Sequence, residues 1–305
     1  MTRHFVAISE TSHEDFERIL TLSRLPVPSR ELVGRRVSLV FERPSLRTRA
    51  SSVAAVQDLG GEYSMFTDAE IGLDTRESAE DVARTLAQTS SIVAARVRDH
   101  RVFDRMTAAT GSDVSYINLL SDQTHPTQAT ADVLTLADHF ADGDPRGLVG
   151  RTVTYVGDAT NVTRSLAAAL IGFGVTVRIV APNGYDLSSG QRTDIERRAR
   201  DGGRLECSND PFAALPGSDA IYTDSWISMG LEDEAEERRR IFRDFQVNDE
   251  MMSRAPSAVF MHCLPAHRGE EVTHDVLESP RSLIWQQVRH RTTAMYGVLR
   301  WLEEK

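Results

Sequence analysis

The chain has 305 residues, enough for about two domains of ordinary size, and its 40% hydrophobic and 26% charged content is that of a soluble globular protein. A net charge of −10 argues against non-specific nucleic-acid binding but leaves room for a local cluster of arginines around a small anion. No apolar run approaches the roughly 20 residues that span a bilayer, and residues 1–10 lack a basic-then-apolar leader, so no membrane partner and a cytoplasmic location are expected.

Helical and strand periodicities alternate along the chain. An amphipathic helix over 14–25, carrying Phe16, Ile19, Leu20 and Leu22, precedes a strand over 37–42. The run Phe41-Glu42-Arg43-Pro44-Ser45-Leu46-Arg47-Thr48-Arg49 then turns at Pro44 into a helix over 46–59. A helix that starts directly after a strand exposes its first N–H groups, which together with the dipole attract anions. Arginines at that end oppose the dipole, by about 0.3–1 kcal/mol each, so a purely structural helix would not favour them. Paired donors on their planar forks suit a phosphate. Arg47, Thr48 and Ser45 therefore read as a phosphate cradle.

A strand near 63–67, a helix over 77–88, a strand over 92–96, a helix over 102–110 and a strand over 114–118 follow. Arg96 closes one of these strands and is a further anion-binding candidate. His125-Pro126-Thr127-Gln128 opens a long helix over 127–140, with Pro126 at or near its first position. His125 and Gln128 on one helical turn can point at one carbonyl or phosphoryl oxygen, or His125 can simply cap the helix. The Asp142–Gly147 stretch is turn chemistry and marks the domain boundary.

Beyond it the alternation restarts: strand 152–156, helix 161–173, strand 175–180, helix 187–201, strand 220–223, strand 258–262 and a last helix over about 286–301. Gly157-Asp158-Ala159-Thr160-Asn161 follows a strand but lacks the further glycines of a dinucleotide loop, so a nucleotide reading is weak. Asp224-Ser225-Trp226-Ile227-Ser228-Met229-Gly230 also follows a strand. Asp224 there either holds a cationic amine, with Ser228 binding a second polar group, or forms an ordinary Asx turn with Gly230 supplying positive φ. His262-Cys263-Leu264-Pro265 ends another strand, where Cys263 is either a small buried hydrophobe or part of a site. Cys207 and Cys263 are the only cysteines, which excludes a disulfide scaffold. The pair His262 and His267 lacks an accompanying carboxylate and thiol set at ligand spacing, so no metal is predicted. Arg291, within the last helix, is another anion-binding candidate. Lys305 is the only lysine, which excludes a P-loop, an internal Schiff-base lysine and a catalytic lysine.

The expected fold class is α/β: two domains, each a parallel sheet flanked by helices, joined by interdomain helices. The first covers 1–140 with the C-terminal helix, about 286–305, packing back on it. The second covers 150–285. Ligands in such sheets sit beyond the carboxyl ends of the strands.

Taken in order, these motifs resemble the aspartate/ornithine carbamoyltransferase family. Ser45-Leu46-Arg47-Thr48-Arg49, Arg96 and His125-Pro126-Thr127-Gln128 are similar to its carbamoyl-phosphate half. Asn161, Asp224 through Gly230 and His262-Cys263-Leu264-Pro265 are similar to the ornithine branch, and Arg291 to the arginine of the family's C-terminal helix. The resemblance implies transfer of a carbamoyl group from carbamoyl phosphate to the δ-amine of ornithine. It implies carbamoyl-phosphate binding by Ser45, Leu46, Arg47, Thr48, Arg96, His125, Gln128, Cys263, Leu264 and Arg291, with catalytic parts for Arg47, His125, Asp224 and Cys263. Asn161, Asp224, Ser228 and Met229 would hold ornithine. No metal or organic cofactor is implied, and a homotrimer is, with a neighbour's loop completing each site. Three positions depart from the pattern: Leu46 where ornithine enzymes have Thr, Glu70 where that loop has Gln, and Thr292-Thr293 for Leu-His. Carbamoyl transfer to another amine, such as an acylated ornithine, and a catalytically silent regulatory homologue are the alternatives.

Overall fold

A computed structural model describes residues 2–227 and 232–304. The first sheet orders β1 (Arg36–Phe41), β2 (Glu62–Thr67), β3 (Ile92–Arg96) and β4 (Ser115–Leu120) as β2-β1-β3-β4. The second orders β5 (Thr152–Val156), β6 (Thr176–Val180), β7 (Arg204–Ser208), β8 (Ala220–Thr223) and β9 (Val259–His262) as β7-β6-β5-β8-β9. Every pairing within both sheets is parallel. The expected class, two parallel sheets with flanking helices, is the observed one.

The chain divides into two compact units, Met1–Ala131 with Arg289–Lys305, and Asp132–Val288. In the first, Val40, Val82, Ala83, Phe103, Met106 and Tyr116 are buried together. In the second, Val156, Ile221, Phe242, Met251, Phe260 and Val276 form the core. Central strands β1, β3 and β5 are buried on both faces, all but Arg36 of β1, although β1 carries Ser38, β3 ends in Arg96 and β5 carries Thr152 and Thr154.

Each sheet reverses its winding once. From β1 the chain moves outward to β2, then returns to β3 on the other flank of β1; from β5 it moves to β6 and β7, then returns to β8. The gaps between β1 and β3, and between β5 and β8, are therefore the switch points where ligands of such sheets bind.

The last helix, Ile284–Glu303, lies on the first unit from Arg289 onward. Trp301 Nε1 donates to Asp15 Oδ1 at 2.9 Å, and Arg300 Nη1 donates to the Leu22 carbonyl at 2.9 Å. Gly297 lets this helix touch the helix His13–Ser23: a Cβ there would lie 2.1 Å from Ser23 Oγ and 2.2 Å from the Ile19 carbonyl.

Three departures from the expected elements have simple causes. Strand β7 was not expected because Arg204-Leu205-Glu206-Cys207-Ser208 is polar; it is an edge strand, and Arg178 and Arg204 both pair with Glu206. The helix Ala235–Phe242 has no apolar periodicity either, since only Arg238 and Phe242 turn inward from a highly charged segment. The helix expected over 187–201 is shorter, Ser189–Glu196, and the chain after it turns toward Gly203, which packs on the Ile171 carbonyl too closely for a side chain. No helix among the described residues is long and apolar enough to cross a membrane.

Candidate active site

In the first unit, the motif residues gather beyond the carboxyl ends of β1, β3 and β4. Ser45 is the N-cap of the helix Leu46–Asp58, and its hydroxyl makes no capping hydrogen bond. The first-turn N–H groups there face outward with the positive end of the dipole. Leu46 points to solvent, 78% exposed, so its side chain packs on none of the groups around it. Thr48 is buried, and its Oγ1 accepts from Arg291 Nη2 at 3.0 Å. Arg291 Nη1 donates to Gln128 Oε1, so one guanidinium joins the cradle helix to the helix Pro126–Phe140. The two arginines of the motif part company: Arg49 is exposed and lies over the Phe41 ring, 5.6 Å from its centroid.

His125 is fully enclosed. Burial pushes its pKa well below the usual 6.5, and the nearby guanidiniums of Arg291, Arg96 and Arg47 push it further down. The imidazole is therefore neutral at physiological pH, a hydrogen-bonding group rather than a cation. Three like charges around one buried ring form an arrangement that a bound anion stabilises. Arg47, Arg96, His125, Gln128, Thr48 and Arg291, drawn from four separate stretches of chain, thus share one electropositive, largely buried locus.

In the second unit, Asn161 is the first residue of the helix Asn161–Leu170, and its Oδ1 accepts from the Val162 N–H at 2.8 Å. Asp224 lies just beyond β8. Its Oδ1 accepts both the Ser225 N–H, at 2.8 Å, and the Cys263 thiol, at 3.0 Å. The Ser225 N–H is only one residue on, so this is not an Asx turn, and Gly230, to which the turn alternative assigned a positive φ, lies outside the described residues. Leu264 follows with φ of 59°, a left-handed conformation for a branched side chain. Ser228 and Met229 lie outside the described residues.

The metal reading needs one correction. The sequence offered no carboxylate and thiol set beside the histidines, yet the fold brings Asp224, His262 and Cys263 together, and likewise His267, Glu270 and Glu271, each set with donor atoms within 4.8 Å of one another. Neighbouring strand ends, β8 and β9, bring Asp224 to His262 and Cys263, a proximity that spacing cannot reveal, whereas His267, Glu270 and Glu271 are close along the chain. His262 is nonetheless engaged at both ring nitrogens: Nδ1 accepts the Leu264 N–H at 2.8 Å, leaving Nε2–H to donate to Glu271 Oε1 at 3.2 Å. It has no lone pair to offer a metal.

Two family models match this chain: the carbamoyl-P binding domain of aspartate/ornithine carbamoyltransferase over residues 3–138, and its Asp/Orn binding domain over 149–302. The chain belongs to the aspartate/ornithine carbamoyltransferase family. Among its relatives, an ornithine carbamoyltransferase of Ignicoccus hospitalis is 44% identical over 271 residues, 88% of this chain and 85% of that one. The ornithine carbamoyltransferase structure from Pyrococcus furiosus superposes with a TM-score of 0.90 at 38% identity, covering 98% of this chain and 96% of that one. The one from Thermus thermophilus gives 0.86 at 34%, covering both chains completely.

Buried polar residues that carry no motif in the sequence support the strand ends of this carbamoyltransferase-family chain. Buried Asp132 accepts from Tyr222 Oη at 3.2 Å and from Gln287 Nε2 at 2.8 Å, while Gln287 Oε1 accepts the His262 N–H at 2.9 Å. An aspartate within the apolar face of the helix Pro126–Phe140 was the available signal. Arg238 donates to Asp158 Oδ2 at 2.7 Å and to the Trp226 carbonyl at 2.9 Å, holding two strand-end loops of the second unit. Nothing in its charged local sequence set it apart.

Proposed function

We propose that this chain is an ornithine carbamoyltransferase, transferring the carbamoyl group of carbamoyl phosphate to the δ-amine of L-ornithine to give L-citrulline and phosphate. The observation that carries this reading is the convergence of Arg47, Arg96 and Arg291 on a neutral, buried His125 beyond the carboxyl ends of the first sheet's strands, in a chain of this family. Relatives named ornithine carbamoyltransferase, from 36% to 44% identical over most of the chain, support ornithine as acceptor.

The donor roles follow from the chemistry of each group. Ser45, the Leu46 amide, Arg47 and Thr48 hold the phosphate, with Arg96 and Arg291 adding charge that stabilises it as it leaves. Neutral His125 donates a hydrogen bond to the carbonyl oxygen, where negative charge grows in the tetrahedral intermediate. Gln128 orients the carbamoyl group, and the Leu264 carbonyl accepts from its NH2. On the acceptor side, Asp224 positions the amine beside Cys263, while Asn161, Ser228 and Met229 hold the amino-acid end. A free alkylammonium has a pKa near 10.4, so the amine must first lose a proton. Its nitrogen then bonds to the carbonyl carbon, the bond from that carbon to the phosphate oxygen breaks, and a nitrogen proton ends on the released hydrogenphosphate. Orientation of two bound reactants supplies much of the rate, about 7–11 kcal/mol of barrier.

The same reading takes the active assembly as a homotrimer, with the loop at Glu70-Ile71-Gly72 offered to a neighbour. Glu70 itself accepts from the Thr67 N–H at 2.7 Å and from Thr67 Oγ1 at 2.8 Å, so its carboxylate serves a helix cap. Light scattering with and without a bisubstrate ligand tests the assembly. The reaction itself is tested by an amine panel with carbamoyl phosphate, read by phosphate release and citrulline. Turnover with ornithine well above other amines is expected; no carbamoylated product from any of them would reject the proposal.

A further inference from the structure

Glu271 is completely buried, and among the described residues no arginine reaches it. Burying a carboxylate is costly unless its hydrogen bonds compensate. Here one oxygen does two jobs. Glu271 Oε1 accepts Nε2–H of His262, at the end of β9, at 3.2 Å, and the backbone N–H of His267 at 2.6 Å. The other oxygen, Oε2, makes no hydrogen bond and lies 3.7 Å from His267 Nδ1.

Between those two anchors run Cys263 and Leu264. Leu264 sits in the left-handed region, at φ of 59°, which residues with a side chain rarely adopt. A turn of this kind persists only where its surroundings hold it. The hold is a chain of contacts: the Leu264 N–H donates to His262 Nδ1 at 2.8 Å, and His262 Nε2 donates onward to Glu271. A second tie, from Ser225 Oγ to His267 Nδ1 at 2.9 Å, joins the same turn to the residue after Asp224.

We propose that Glu271 is a positioning residue, a single buried oxygen that closes the 262–267 turn at both ends and so sets where the Cys263 thiol and the Leu264 carbonyl stand. This rests on the assignment of those two groups to carbamoyl transfer, although the clamp itself can be read without turnover. Because both donors use Oε1, a glutamine with its carbonyl oxygen in that place preserves the clamp and removes the charge. Leucine removes the clamp, and aspartate keeps the charge but falls one methylene short.

The test compares Glu271→Gln, Glu271→Leu and Glu271→Asp in a Cys207→Ser background, measuring Cys263 alkylation by iodoacetamide, citrulline kcat, and thermal stabilisation by inorganic phosphate. In the Leu and Asp variants, alkylation of Cys263 should rise at least about tenfold and kcat should fall about 100-fold, while stabilisation by phosphate persists. The Gln variant should stay within about threefold of the parent on both counts. Protection of Cys263 unchanged in the Leu and Asp variants would overturn the clamp, and so would a Gln variant as impaired as Leu, since charge would then be the active property. A parent that alkylates as expected but makes no citrulline would remove the transfer assignment and leave the clamp standing.

Discussion

Arg291 Nη2 donates to Thr48 Oγ1 at 3.0 Å, a bond between side chains 243 residues apart. The same guanidinium reaches Gln128, so the planar fork spans two helices that a point charge could not bridge. Arg291→Lys should therefore keep the charge yet raise the KM for carbamoyl phosphate about tenfold or more, roughly 1.4 kcal/mol, with a smaller change for ornithine. Initial-rate kinetics in both substrates read this out; an unchanged donor KM would contradict it.

Arg47 is only partly buried, yet it is one of three guanidiniums that act on His125. Removing it with Arg47→Ala deletes the charge proposed to stabilise the leaving phosphate, and kcat should fall at least about 100-fold. Circular dichroism and melting should be near those of the parent, because the side chain lies at the start of a helix and outside the core.

His125 carries a pH signature. Its folded pKa lies well below 6.5, through burial and three arginines, whereas in the unfolded chain it returns to the usual value. The unfolded state then binds the extra proton first. Stability is unaffected by this group above pH 6.5 and is lost as pH falls from there toward the folded pKa. Urea titrations from neutral to acid should show this loss, and His125→Gln should flatten the part of it that belongs to this ring. A slope identical in the variant would assign the effect elsewhere.

Asp224 and Cys263 share one hydrogen bond at 3.0 Å, so the carboxylate fixes the thiol while remaining able to accept from an amine. Asp224→Asn should raise the KM for ornithine and lower kcat together, each by about tenfold or more. Stabilisation by inorganic phosphate in a thermal-shift assay should be unaltered, since the phosphate groups proposed here all stand in the first unit.

Gly297 sits where the last helix touches the helix His13–Ser23. A methyl group there would collide with Ser23 Oγ at 2.1 Å and with the Ile19 carbonyl at 2.2 Å. Gly297→Ala should destabilise the protein by about 1–3 kcal/mol or more, despite the better helix propensity of alanine. Chemical denaturation measures it, and a neutral or stabilising result would mean that the two helices can part without cost.

The local chain determined a good deal by itself. Apolar or β-branched runs marked β1, β3, β5 and β9, because strands buried on both faces favour such residues, and the turn at Pro44 announced a helix start rich in donors. Such features depend on neighbours a few residues away, so periodicity and residue type suffice to reveal them. Polar edge strand β7 and the charged helix around Arg238 were hidden for the converse reason: their stability comes from partners elsewhere. Only the tertiary structure decided that Arg291 meets Thr48, that Cys263 meets Asp224, that His125 is neutral, and that Glu271 closes the turn beside Leu264. Each of those properties arises when burial removes water from groups brought together by the order of strands in a sheet, and neither burial nor that order is written in any single stretch of sequence.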